Sequence, residues 1–445
     1  MNEEELFSRL EDRLMNLASP GIIPGLARLS KLLALSGNPQ NRFPAVHVVG
    51  TNGKGSTAAT ITSILNTAGY KTALYTSPHL VSFGERLSIS GKPVAASRWW
   101  NFTEIAEKLI ASDSYFEDNH PTYFELITAV AFMIIADENI DIAVVEAGLG
   151  GRLDATNILK NVQLSVVTPI GLDHTEYLGP TIKDIAAEKF AVMRKGADAV
   201  FAGGELEINR LFTEIARKKS VNAMIVCDSW HYGMTAVSPD GTDFYIENDS
   251  FSADYHTPLI GEHQAENAVL AIASACLLKK HFSKIDIPAI YNGVAVTNWP
   301  GRLEVISKSP MLILDGARNA HAMKRLTDTL AIITQRGHLN VVMAMMKDKD
   351  IPSVLTMLAE LNPSLYCTEI PGIPRSMKAE ELALLASESG LNVISVHEDP
   401  QSALSAAVSK GSVTICCGSL YLVGYLKSAV KIIDGILEDN RPPKL

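Results

Sequence analysis

A chain of 445 residues, 47% of them hydrophobic, has material for two or three cored domains. Its net charge of −10 and pI near 5.6, with no basic run to offset them, argue against a nucleic-acid or anionic-membrane partner, so any anionic ligand must be held by local groups. The opening MNEEELFSRLEDRL is acidic and amphipathic, unlike a secretory leader, and the longest strongly apolar stretch, around Leu126–Ala136, is too short to span a bilayer. Cys227, Cys276, Cys367, Cys416 and Cys417 lack metal-ligand spacing, which fits a reduced, cytoplasmic protein.

Helical patterns over 3–17 and 26–36 are separated by the breakers Pro20, Gly21, Pro24 and Gly25. The next stretch, HVVGTNGKGST from His47 to Thr57, reads as a buried strand, a glycine-rich turn and a helix start. Gly50, Gly53 and Gly55 leave backbone N–H groups open to a polyphosphate, Lys54 adds a mobile ammonium, and the helix from Ser56 adds its positive dipole end. Thr51 and Asn52 complete the turn, and Ser56 or Thr57 offers a hydroxyl to a metal or a phosphate oxygen. The spacing departs from the usual P-loop, because only two residues separate Gly50 from Gly53 and Gly55 intervenes before the hydroxyls.

A strand at Thr72–Tyr75 leads into TSPHL, where Pro78 stops regular structure at a strand's C-terminal end, a ligand-binding place in open α/β sheets. Ser77 there offers a hydroxyl to a metal ion, and His79 reads as a histidine held in a turn. Helices are expected over 97–112 and 122–138. Ile142–Val145 reads as a buried parallel strand with Glu146 directly after it; a carboxylate there must be solvated, paired or on a metal, and beside a P-loop a magnesium ligand is the economical account. Val162–Val167 repeats the strand pattern, and His174 follows it as a neutral imidazole able to meet a second magnesium or manganese ion. A helix over 181–193 carries Lys189. Short strands in 198–260 are expected as an antiparallel addition to the main sheet, after which Asn267 opens a helix running to about Leu278. Trp299–Arg302 (WPGR) interrupts the pattern, and strands near 311–315, 339–344, 364–368, 392–396 and 412–416 alternate with helices, the mark of a second, doubly wound parallel sheet.

GTNGKGS, TSPHL, Glu85-Arg86, EAGLGGRLDATN (Glu146–Asn157), GLDHT (Gly171–Thr175) and WPGR together resemble the folylpolyglutamate synthase family, including its bifunctional dihydrofolate synthase form, within the Mur ligase superfamily. The resemblance implies an α/β fold with a P-loop Mur-ligase-type ATPase domain (1–298), a hinge (299–303) and a smaller Rossmann-like doubly wound α/β domain that handles glutamate (304–445). It further implies nucleotide contacts from the phosphate loop, Asn267, Arg302 and Asp315. The folate site it implies comprises Pro78, His79, Thr122, Tyr123, Phe124, Leu153, Asp154 and Ala155, although Tyr123 and Phe124 read equally well as ordinary core. Metal ligands would be Ser77, Glu146 and His174, for two magnesium ions with manganese as the alternative, and Lys189 would be carbamylated. Lys54, His174 and Lys189 would be catalytic.

The implied reaction is ATP-dependent ligation of L-glutamate to a folate carboxylate through an acyl phosphate, by a monomer, with dihydropteroate as a second acceptor left open. Three positions depart from the family pattern: Ala27 in the Gly25–Arg28 element, Phe190 where EKAGI is usual, and Arg318 where DGAHNPH has a histidine. A Mur-type peptide ligase and a low-activity folate- or nucleotide-binding paralogue are the competing readings. The first normally needs an additional N-terminal domain, and only about 45 residues precede the phosphate loop.

Overall fold

Strands buried on both faces have no alternation to keep, and the runs at 45–49 and 142–146 are buried at every position. In a computed structural model that describes residues 2–248, 251–334, 338–408 and 413–429, they lie side by side at the centre of an eight-stranded sheet. Its strands are β1 (Ala45–Val49), β2 (Thr72–Tyr75), β3 (Leu87–Ile89), β4 (Lys92–Pro93), β5 (Ile142–Glu146), β6 (Val162–Val167), β7 (Asp198–Phe201) and β8 (Asn222–Ile225), in the order β4-β3-β2-β5-β1-β6-β7-β8. Every pairing from β2 to β8 is parallel, and β3 and β4 add an antiparallel edge. The described chain separates into two compact units. One holds the residues up to Tyr232 with Ile246–Tyr255 and Glu266–Thr297; the other holds Gly233–Tyr245, His256–Ala265 and the chain from Asn298 on.

In the first unit the expected helices form at Glu3–Leu17, Ala27–Leu35, Ala96–Ala111 and Tyr123–Asp137. Thr122 caps the last of these reciprocally with Glu125. The helix over Ile182–Phe190 starts from a capping box of Thr181 and Asp184 and ends three residues before the expected Met193.

The stretch 198–260 differs from expectation. Its first two strands, β7 and β8, extend the main sheet in parallel, because the amphipathic helix Leu206–Lys219 lies between them and supplies the crossover a parallel pair needs. Only β9 (His231–Ser238), β10 (Gly241–Asn248) and β11 (Phe251–Thr257) form hairpin-linked strands, and they make a separate three-stranded sheet, order β11-β10-β9. The helix expected from Asn267 begins at Glu262, so Asn267 sits in its second turn rather than at its start.

In the second unit, β12 (Glu304–Lys308), β13 (Met311–Leu314), β14 (Leu339–Met343), β15 (Ser364–Thr368), β16 (Asn392–His397) and β17 (Val413–Cys417) lie in the order β12-β13-β17-β14-β15-β16. Five of these match the expected strands; residue 412 of the last expectation lies outside the described residues. All pairings are parallel except β12 with β13. The half-exposed β12 had no apolar run to announce it. Met343, Leu365, Ile415, Leu326 and Leu355 belong to one buried core.

Phe190 shows how the fold treats a departure from the family pattern. The ring is fully buried, with centroids 5.3 Å from Phe201 and 5.1 Å from Phe212, inside a cluster that includes Val167 and Ala199. Its bulk is part of the core and turns away from the neighbouring Lys189 side chain. Replacing Phe190 by Ala is therefore expected to destabilise the protein by about 3–5 kcal/mol through a cavity. A denaturation midpoint within experimental error of wild type would contradict this.

Candidate active site

Beyond β1 the chain turns through Gly50 and Gly53 into the helix Lys54–Thr67. A Cβ on Gly50 would lie 1.8 Å from Thr168 Oγ1, and one on Gly53 only 2.2 Å from Asn267 Oδ1; both residues also have positive φ, 151° and 83°. Glycine is thus required twice over, by backbone conformation and by the side chains that close on the turn. Asn52 and Gly55 are half-buried in the same turn, and Ser56 and Thr57 are buried at the helix start. The Thr57 hydroxyl lies 3.5 Å from Asn267 Oδ1. The open N–H groups of this helix end and its dipole suit a polyanion.

Two lysines meet at this turn. Lys54 Nζ donates to the carbonyls of Gly50 and Thr51, each at 3.2 Å, and Lys189 Nζ donates to the Gly50 carbonyl at 2.8 Å. Lys189 is 4% exposed; burial, and then the positive charge of Lys54, bring its pKa down to about 7. A second tie joins β1 to β6. Thr51 Oγ1 donates to the Gly171 carbonyl (3.0 Å) and accepts from the Gly171 N–H (3.1 Å), while Thr51 N–H donates to the Pro169 carbonyl (3.0 Å). His174 follows on the same loop, half-buried and with φ of 51°, its N–H bonded to Asp173 Oδ1 at 3.0 Å.

Glu146 ends β5 in register with Val48, two residues before Gly50, and is 6% exposed. Ser77, half-buried, lies just past β2, the neighbour of β5. Among the described residues no group of three or more His, Cys, Asp and Glu side chains forms a ready-made metal cage. The Glu146 carboxylate and the Ser77 hydroxyl are oxygen donors of the kind a magnesium ion takes beside phosphate oxygens and water, and the His174 imidazole is a donor for a second ion.

Gly148, Gly150 and Gly151, in the turn after β5, let neighbouring protein atoms approach closely. A Cβ at Gly148 would sit 2.6 Å from Phe124 Cζ, at Gly150 2.7 Å from Leu178 Cδ2, and at Gly151 2.5 Å from the Glu188 carbonyl. Asp154 is buried; its Oδ2 accepts from Leu149 N–H (2.7 Å) and its Oδ1 from Thr156 N–H (2.9 Å). Leu153 is exposed, and Ala155 begins a short 3₁₀ turn capped by Asp154.

The remaining residues expected at the folate site lie near one another. Thr122 serves as helix cap, its hydroxyl donating to Glu125 Oε2 at 3.0 Å. Tyr123 OH donates to Glu11 (2.9 Å), Arg86 Nε donates to His79 Nδ1 (2.9 Å), and burial beside Arg86 brings the His79 pKa down to about 4. Phe124 stacks at 6.4 Å on Tyr75. Pro78 is exposed and follows a cis Ser77–Pro78 bond. Glu85 accepts from the N–H groups of Leu80, Val81 and Ser82 at 2.7, 3.1 and 2.9 Å, which fixes the TSPHL loop. Glu11 and Glu85 carried no warning of these bonds in their local sequence.

In the second unit Asp315 is buried past β13 and accepts from Leu303 N–H (2.8 Å) and Ala317 N–H (2.7 Å). Burial pushes its carboxyl up, and Arg302 opposes this. Arg302 lies against the same turn, where a Cβ on Gly316 would be 2.5 Å from its Nη1. Asn319 caps the helix Ala320–Ile333, and Arg318 is half-buried.

These features define a P-loop nucleotide-binding α/β protein, and comparison with known proteins narrows the class. Residues 48–275 match the Mur ligase middle domain and residues 301–420 the Mur ligase, glutamate ligase domain. The sequence is 32% identical to the dihydrofolate synthase/folylpolyglutamate synthase of Bacillus subtilis (strain 168), over 92% of this chain and 96% of that protein. Among solved structures, Escherichia coli FolC in complex with DHPP and ADP superposes with a TM-score of 0.85 at 31% identity, covering 96% of this chain and 98% of that one. The Mycobacterium tuberculosis folylpolyglutamate synthase complexed with ADP reaches 0.88 at 30% identity, covering 96% and 99%. The chain belongs to the dihydrofolate synthase/folylpolyglutamate synthase family of Mur-type ATP-dependent ligases. Among the described residues no helix is long and apolar enough to cross a membrane.

Gly53→Ala is expected to weaken adenine-nucleotide binding at least tenfold, because the methyl group collides with Asn267 and the backbone needs positive φ. Calorimetric titration with ADP checks this, and an affinity within about twofold of wild type would refute the account of the turn.

Proposed function

We propose that this protein adds L-glutamate to a reduced folate or folylpolyglutamate through an acyl phosphate, releasing ADP and phosphate, and that it also accepts dihydropteroate. The observation that carries the reading is the convergence of Lys54 and Lys189 on the Gly50 carbonyl at the start of a helix. The dual activity is supported by the relatives, several of which bear both names. The break between the two family models, between residues 275 and 301, supports 1–298 as the ATP-binding part, 299–303 as a hinge and 304–445 as the glutamate part. Five unbridged cysteines support a cytoplasmic setting.

A carboxylate is a weak nucleophile toward a polyanion, so the phosphate charge must be neutralised before attack. The turn amides, the helix end and Lys54 supply part of that neutralisation, with Asn267, Arg302 and Asp315 as further nucleotide contacts. Magnesium held by Ser77 and Glu146 would supply the rest by screening phosphate oxygens, and a second ion would be held at His174. The acceptor carboxylate displaces ADP from the γ-phosphorus; the glutamate amine then attacks the acyl carbon and phosphate leaves. Loss of any acceptor contact from Pro78, His79, Thr122–Phe124 or Leu153–Ala155 would appear in the acceptor KM.

A Lys189 pKa near 7 leaves a large neutral fraction at working pH. The free amine adds to CO₂, forming an N–C bond and releasing one proton, which converts a buried neutral amine into a carbamate anion. At fixed dissolved CO₂ the occupancy should therefore fall as pH drops through about 7, since protonation removes the lone pair. Protein equilibrated with ¹³C-bicarbonate should give a carbamate carbon resonance that Lys189→Ala lacks; an unmodified amine with full activity under CO₂-free conditions would remove carbamylation from the scheme.

Lys54→Ala should lower ligation at least a thousandfold with the fold unchanged by circular dichroism. Phosphate release is to be measured with tetrahydrofolate, dihydropteroate or a UDP-linked peptide, each with and without glutamate. Near-wild-type turnover by the variant would sink the phosphate-loop assignment, and turnover only with the peptide would overturn the folate reading.

A further inference from the structure

His47 is the only polar side chain in β1 and is fully buried, in register with Val145 of β5 and Ser165 of β6. A buried imidazole needs a partner, and this one reaches across the sheet end to the loop that carries Asp154. Its Nε2 lies 2.8 Å from Thr156 Oγ1, and the Thr156 hydroxyl donates to Asp154 Oδ1 at 2.5 Å. Thr156 has one hydroxyl proton, and the carboxylate takes it. The hydroxyl oxygen must then accept from His47, which fixes the ring as the Nε2–H tautomer. Nδ1 becomes a bare acceptor, in agreement with its lack of any partner. Burial and the charge of Arg194 bring the His47 pKa down to about 3, so the ring stays neutral.

We propose that His47 is a positioning residue for the acceptor subsite: through Thr156 it sets the Asp154 carboxylate, and with it the Leu149–Asp154 turn, from the strand that ends in the phosphate loop. This rests on the reading that Asp154 contacts the pterin. The relay adds the Thr156 hydroxyl to the Thr156 N–H on the same carboxylate oxygen. Asp154 Oδ2 holds Leu149 N–H, and the preceding Gly148 packs on Phe124, a second folate-side residue. Two residues separate His47 from Gly50, so the same strand anchors the nucleotide side through its backbone and the acceptor side through one imidazole. Removing the imidazole N–H frees the acceptor turn and leaves the strand pairing of β1 in place.

The test is steady-state kinetics of the full chain with dihydropteroate and with tetrahydrofolate. Thr156→Val, nearly isosteric, and His47→Leu should each raise the acceptor KM about tenfold, the effect of one lost buried hydrogen bond. The KM for ATP should stay within about twofold and kcat should change little. His47→Gln, which keeps a donor, should recover most of the loss, and the Thr156→Val/His47→Leu double variant should be no worse than the poorer single one. An unchanged acceptor KM in Thr156→Val would overturn the proposal, as would equal rises for ATP and acceptor without rescue by His47→Gln, the pattern of a merely structural histidine. Should His47→Leu fail to fold, Thr156→Val and His47→Gln decide the matter alone. Asp154→Asn separates the two readings: no effect on the acceptor KM removes the pterin contact and this proposal with it, whereas an effect there without one in Thr156→Val removes this proposal only.

Discussion

Two ammonium groups share one carbonyl in this protein, and much of the site is arranged around that conflict. Lys54 and Lys189 both donate to the Gly50 oxygen, and Lys189 does so from a nearly water-free position. Like charges brought together in low dielectric are costly. The molecule has two ways of relieving the cost. One is loss of a proton from Lys189, toward which burial and Lys54 already push it. The other is an anion, either a polyphosphate at the helix end or a carboxylate formed on Lys189 itself. A ligase that uses ATP brings such a polyanion with its substrate, so the crowding of positive charge at this turn suits the nucleotide.

That carbonyl lies where it does because of strand order. In a parallel sheet with β1 flanked by β5 and β6, the loops following all three strands emerge at one edge. Gly50, Glu146 and Gly171 are distant in sequence and adjacent at that edge. Thr51 clamps the loops after β1 and β6 together, and Gly151 lets the loop after β5 rest against the backbone of the helix that carries Lys189. The charged groups are held by backbone placement, which limits how much the site must reorganise when substrate arrives.

Much of this was legible in the sequence for a simple reason: central parallel strands are short unbroken apolar runs, and the phosphate loop has a composition that few other structures require. The misreadings share a cause as well. Residues 198–260 were read from their turn residues, and the amphipathic helix Leu206–Lys219 between β7 and β8, which turns an antiparallel addition into a parallel crossover, went unweighed. The contacts of Gly148, Gly150 and Gly151 with Phe124, Leu178 and the Glu188 carbonyl lie equally beyond a local reading. The hydrogen bonds of Glu11, Glu85 and Arg86 span the tertiary structure or a tight loop, and no local pattern encodes them. His47 was the exception: a lone polar residue inside an otherwise apolar strand is a signal that could have been followed.

The departures from the family pattern bear on whether this chain retains catalysis. Ala27 removes an acidic residue, yet the adjacent Arg28 is engaged with Glu125, at 2.9 and 3.0 Å, and Glu125 in turn caps the helix that begins at Tyr123. Arg28 is therefore tied to the start of that helix and is not a free surface charge. Phe190 is more informative. Successive residues of an α-helix point about 100° apart, so Lys189 and Phe190 are committed to different neighbours, one to Gly50 and the other to Phe201 and Phe212. The larger side chain fills a hydrophobic cluster and leaves the lysine seated on the phosphate loop. A change that looked like damage to the site is absorbed on the far side of the helix. Phe190 packs on one side of this helix while Lys189 reaches Gly50 from another, so the bulk of the first does not disturb the second.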